Sequence, residues 1–233
     1  MVAKKSHDHG QFSFLVLFVI LLSSYCFTAN AKYFEILKLV LQWPNSYCSL
    51  KTSTCRRNPL PLKFTIHGLW PDNYSWPLSD CGYDFTLPDI TDKSLLKRLD
   101  RNWPDLTKRK NIRKPDKTFW LTQWEKHGTC ALSVYTFDDY FRETLNMKRR
   151  FNILDMLQRK SMRPGDRVDP QEVARAISKV TNHEPEVKCR EGFLTEIIIC
   201  FDTGRDASVI DCPGPLCTDP MVDFPRSVVR TIR

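Results

Sequence analysis

Apolar positions along the chain change period twice. From Tyr33 to Trp43 (YFEILKLVLQW) they form no helical stripe and are stopped by Pro44-Asn45, which predicts a buried strand. Leu62 to Ile66 predicts a second short strand, and Pro71 to Pro88, rich in Pro, Asp, Asn, Ser and Gly, predicts a loop. Helical spacing then takes over. Asp92 stands as a cap before Leu95, Leu96 and Leu99, and Thr136 precedes Asp138 and Asp139, whose charge suits a helix N-terminus. Asp169-Pro170-Gln171-Glu172 supplies an N-cap, a first-turn proline and a capping-box glutamate, with Val173, Ala176, Ile177 and Val180 on one face. From Phe193 to Phe201 (FLTEIIICF) the pattern is β-rich again. Strands early and late, helices between and no βαβ alternation predict one α+β domain.

The N-terminus breaks this pattern. Lys4 and Lys5 precede the apolar run Phe14 to Leu22, and Ala29-Asn30-Ala31 follows as a small-x-small cleavage site. That is the layout of a secretory signal peptide, over a run too short to span a bilayer. The reading is a signal peptide at 1–31 and a secreted, extracellular domain at 32–233, with no membrane association.

Removing the leader changes the cysteine arithmetic. Cys26 leaves with it, so nine cysteines become eight: Cys48, Cys55, Cys81, Cys130, Cys189, Cys200, Cys212 and Cys217. An even count in a secreted chain predicts four disulfides. Close Cys-x-x-Cys pairs are missing from the sequence, so no metal or other cofactor is expected. Asn73-Tyr74-Ser75 is a glycan acceptor in the predicted loop.

Composition narrows the class without naming it. With 42% hydrophobic and 27% charged residues, 8 Gly and 15 Pro, disordered, collagenous and coiled-coil classes drop out. The net charge of +8 favours anionic partners. Much of that excess lies between Lys97 and Lys117, either a solvated helix end and loop or a surface that steers substrate or binds a partner.

Three histidines follow the leader. His67 lies in FTIHGLWPD, read as a strand end; His127 lies in FWLTQWEKHGTC, where helical spacing groups Phe119, Gln123, Lys126 and His127. His183, at a fraying helix end, reads as solvated. A single histidine beside Trp and Gly is more often structural. Two of them in a basic secreted chain allow general acid and general base to be divided between imidazoles. RNA then supplies its own nucleophile, the 2′-hydroxyl.

These two segments resemble the two active-site signatures of the T2 ribonuclease family, secreted and metal-independent RNA endonucleases. The likeness extends through LQWPNSYC (Leu41 to Cys48), the loop tryptophans and the cysteine spacing. It implies an antiparallel sheet packed by helices and the pairings Cys48–Cys55, Cys81–Cys130, Cys189–Cys217 and Cys200–Cys212. It casts His67 as general acid, His127 as general base and Lys126 as the stabiliser of phosphorane charge. Where the family usually has glutamate, this chain has Gln123, which cannot relay a proton; Glu125 lies too far round the helix to replace it. Gln42, Phe119, Thr122 and Trp70 fall at nucleotide-contacting positions, whereas Trp120 and Trp124 read as core aromatics.

Within the family the chain is similar to the S-ribonucleases of gametophytic self-incompatibility, basic pistil glycoproteins with four disulfides and a sequon after the first signature. The resemblance implies a monomer that acts on single-stranded RNA, not DNA, with pollen F-box proteins as partners. The alternatives are an S-like ribonuclease for defence or phosphate scavenging, and a non-catalytic RNA-binding or storage homologue.

Overall fold

Leu37, Leu39 and Leu41 alternate with Lys38, Val40 and Gln42, and this alternation builds a sheet with two different faces. The computed structural model describes residues 34–82, 88–109, 117–204 and 206–229. The leader expected at 1–31 lies outside the described residues, as do Lys110, Arg113 and Lys114 of the basic cluster. From Tyr33 onward the chain forms one compact unit. In chain order come β1 (Ile36–Gln42), the one-turn α1 (Pro44–Tyr47), β2 (Thr65–Asp72), α2 (Lys93–Asn102), α3 (Thr118–Lys126) and a 3₁₀ turn (Gly128–Ala131). Then follow α4 (Phe137–Arg150), α5 (Ile153–Gln158), β3 (Arg167–Val168), α6 (Pro170–Thr181), β4 (Glu186–Arg190), β5 (Phe193–Phe201), β6 (Val209–Ile210) and β7 (Val222–Asp223).

The strands form one sheet in the order β2-β1-β5-β7-β3, with β4 and β6 also paired to β5. The pairings are antiparallel except a single parallel bridge, Phe193 with Asp223. The fold is therefore the α+β class expected. One face of β1 and β5 (Leu37, Leu39, Leu41, Ile197, Ile199, Phe201) enters the main core with Tyr140, Phe141 and Leu145 of α4. On the opposite face Ile36, Val40, Ile198 and Cys200 make a small apolar cluster bordered by Trp70. The polar members of that second face carry the site described below.

Local signals explain most boundaries. Asp92 accepts from the Ser94 and Leu95 amides, Thr136 from Asp139, and Asp169 from Gln171 beneath Pro170. α6 closes on Asn182 with φ 59°, a left-handed C-cap that asparagine tolerates. Two details differ from expectation there. Glu172 turns to Arg175 at 2.6 Å, and Val180, in the last turn of α6, is 55% exposed.

The second strand is displaced from its expected place. It runs from Thr65 to Asp72, taking Pro71 and Asp72 from the predicted loop and leaving Leu62 exposed. Pairing along β1 from Ile36 to Gln42 sets its length. Pro71, without an amide hydrogen, is tolerated because β2 is the sheet's edge strand. The four disulfides join Cys48–Cys55, Cys81–Cys130, Cys189–Cys217 and Cys200–Cys212.

Candidate active site

His67 is not at a strand end. In the β1–β2 ladder Val40 faces Gly68 while Leu41 faces Ile66, so His67 is the extra residue of a β-bulge. One inserted residue reverses which parity faces the core. Phe64 and Ile66 are buried before the bulge, Leu69 and Pro71 after it. The bulge thus frees His67 from the ladder and turns Trp70 and Asp72 to the second face. Its carbonyl is not orphaned, because the buried Trp103 indole donates to it at 2.8 Å.

The His67 imidazole has a specific partner that sequence reasoning missed. Nδ1 lies 2.5 Å from Oε1 of Glu196 in β5, with the two side chains 33% and 22% exposed. A signal was present: Glu196 is the one charge within the apolar run FLTEIIICF, and a carboxylate in such a strand needs a partner.

His127 is held differently. It caps α3, its amide donating to the Gln123 carbonyl at 3.0 Å, and the chain then tightens into the 3₁₀ turn. The Cys81–Cys130 disulfide and the Asp80 amide, which donates to the Lys126 carbonyl at 2.7 Å, tie this corner to the loop after β2. Burial pushes the His127 imidazole down to about 4, helped by the positive charges of Lys126 and His67 and opposed by Asp80 and Asp72. Its Nδ1 is buried without a hydrogen-bond partner among the described residues.

Trp70 joins the two halves. Its ring meets His67 edge-on and stacks on His127, both at 5.2 Å between centroids. Gly68 makes this possible: a Cβ there would collide with the Trp70 indole and lie 3.0 Å from Gln123 Oε1. Trp70 Nε1, Gln123 Oε1 and His127 Nδ1 are all buried polar atoms without partners among the described residues.

His67, Trp70, Gln123, Lys126 and His127 are thus assembled at one place. Gln42 is buried to 4% in β1, beside Glu196 in register. Phe119 packs half-buried against the main core; Thr122, Glu125 and Lys126 are exposed on α3. Trp120 and Trp124 are core residues, as expected. Asn73 is half-buried directly after β2, in a turn whose Asn73 and Leu78 amides both donate to Asp72. Asp72 also takes Lys38 at 2.8 Å. His183 lies apart, 3.2 Å from Asp211. In the basic segment Asp100 takes Arg57 from outside it, and Lys117 reaches Asp89.

Comparison with known proteins places this geometry. The model of the ribonuclease T2 family matches residues 34–212. Ribonuclease S-2 of Antirrhinum hispanicum is 54% identical over 227 residues, covering 96% of this chain and 95% of that protein. The crystal structure of the gametophytic self-incompatibility associated SF11 ribonuclease of Nicotiana alata superposes with a TM-score of 0.75 at 36% identity, covering 83% of this chain and all of that one. A variant of RNase MC1 from bitter gourd seeds, solved with 5′-GMP, gives 0.71 at 28% identity, covering 82% and 100%.

Proposed function

This chain belongs to the ribonuclease T2 family, and from that premise we propose a two-histidine mechanism on single-stranded RNA. The observation that carries it is the contrast between two imidazoles that both contact Trp70: one beside a carboxylate, the other buried and next to a lysine. A buried, destabilised imidazolium favours the neutral ring that a base requires; a carboxylate on Nδ1 orients the other ring and leaves its second nitrogen for the substrate.

In the first step His127 takes the proton of the 2′-hydroxyl and O2′ forms a bond to phosphorus. The P–O5′ bond breaks, and O5′ leaves with the proton of His67. The products are a 2′,3′-cyclic phosphate and a 5′-hydroxyl end. Lys126, on the turn before His127, offsets charge developing on the phosphoryl oxygens, and the Gln123 carboxamide supplies a hydrogen bond at the same place. Hydrolysis of the cyclic ester runs the two proton transfers in reverse. Trp70, Gln42, Phe119 and Thr122 are assigned to nucleotide contact, Trp70 offering the aromatic face on which a base stacks.

The biological reading is a secreted pistil cytotoxin of self-incompatibility, glycosylated at Asn73 and recognised by pollen F-box proteins. It is supported by the similarity to Ribonuclease S-2 and the SF11 ribonuclease. The described residues contain no helix long and apolar enough to cross a membrane. The mechanism is tested by incubating purified protein with single-stranded RNA, with and without EDTA, and analysing the ends. Cyclic phosphate termini at an unchanged rate in EDTA are expected; loss of activity in EDTA, or termini lacking the cyclic form at early times, overturns it. Pistil-restricted, allele-variable transcripts are expected for the biological role, and leaf expression under phosphate starvation contradicts it.

A further inference from the structure

We propose that Glu196 is the positioning residue of the acid histidine: its carboxylate holds Nδ1–H of His67 and turns Nε2 toward the scissile phosphodiester. The inference rests on the reading of His67 as general acid. It starts from the sheet. β1 lies between β2 and β5, so His67 and Glu196 stand two strand spacings apart, about 9–10 Å between backbones, and their side chains meet over the intervening strand. Gln42 belongs to that strand and is in register with Glu196, which accounts for its near-complete burial.

A bulge and two hydrogen bonds then fix His67 without using Nε2. The bulge releases it from the ladder, Trp103 holds its carbonyl, and Glu196 holds one ring nitrogen. An imidazole has two nitrogens, and the hydrogen bond at one decides which face of the chemistry the other serves. With Nδ1–H on a carboxylate, Nε2 bears the proton delivered to O5′ in the first step and the lone pair that accepts water's proton in the second.

The charged groups around Glu196 leave this pairing uncontested. Lys188 of β4 is its register partner, but the Lys188 ammonium is bonded to Glu186 at 2.8 Å. On β1, Lys38 is taken by Asp72. His127 stacks on Trp70 instead. The neighbouring second face is apolar, so an unpaired carboxylate there would be costly and His67 offsets that cost.

The test begins with the unmodified protein. Nitrogen-15 NMR of the His67 ring is expected to show the neutral form protonated at Nδ1; protonation at Nε2 alone overturns the proposal whatever the variants do. On a dinucleotide substrate Glu196→Gln, which keeps the acceptor oxygen but loses the charge, is expected to lower kcat about 10-fold, and Glu196→Ala about 10²-fold, with KM within about twofold. A Glu196→Ala protein with the wild-type kcat overturns the proposal. His67→Ala separates the two claims: if it retains activity, the acid assignment fails, and if it is inactive while Glu196→Ala is unaffected, only the role of Glu196 fails.

Discussion

The two halves of the site obtain a histidine by opposite means. On the sheet, His67 is lifted out of the ladder by a bulge and its ring is engaged at Nδ1 by Glu196. At the end of α3, His127 is held by backbone hydrogen bonding, a disulfide beyond it and the face of Trp70, while its own Nδ1 is buried unbonded. One surrounding supplies a counter-charge. The other withdraws water and adds a like charge, Lys126. On the proposed mechanism, two identical side chains are thereby divided into donor and acceptor of protons without any difference in covalent chemistry.

The strongest way to break this comparison is to remove each ring in turn. His67→Ala and His127→Ala should each lower RNA cleavage by at least about 10²–10⁴-fold, since each deletes one of two proton transfers, while circular dichroism stays unchanged. If either variant keeps the wild-type rate with a native spectrum, the division of roles is wrong. Next in size is Lys126→Ala, expected to cost about 10²-fold in kcat through lost charge stabilisation. It should also shift the acid limb of kcat/KM upward, because a cation that depresses His127 has gone. An acid limb that stays in place would show that Lys126 does not depress His127.

Gly68→Ala sharpens the comparison at the junction. The added methyl must displace the Trp70 indole, so the stacking on His127 is lost and activity should fall about 10-fold with the edge-strand fold retained. A wild-type rate for Gly68→Ala would mean that Trp70 does not organise the two rings. The smallest effect is expected at Gln123. A carboxylate in Gln123→Glu should raise activity a fewfold and move the acid limb upward by favouring protonated His127, whereas Gln123→Ala should lower activity. A Gln123→Glu rate below wild type would show a site rebuilt around the amide.

The helix-borne half was the more legible in sequence. α3 has a 3.6-residue period that places Gln123 and His127 one turn apart, and Trp120 and Trp124 on its buried face, so spacing alone orders them. The caps at Asp92, Thr136 and Asp169 are local hydrogen bonds and were readable for the same reason. The sheet-borne half depends on pairing between segments far apart in the chain. A bulge at His67 exists only relative to Val40 and Leu41, and Glu196 lies 129 residues from His67. Nothing within FTIHGLWPD announces either. The same non-local pairing carried β2 through Pro71, which local composition assigned to a loop. Val180 failed in the opposite direction, since apolar periodicity continued one turn beyond the surface available to bury it.

The division of labour rests most directly on the charge state of His127. An NMR titration of its ring protons in the intact protein, followed alongside kcat/KM on a dinucleotide, measures that state and its consequence together. The account predicts a midpoint near pH 4 with the acid limb of kcat/KM falling at the same pH, so that the base is neutral throughout the range above it. A midpoint at or above the ordinary imidazole value of about 6.5, with activity persisting below it, would contradict the assignment of His127 as the buried, neutral base.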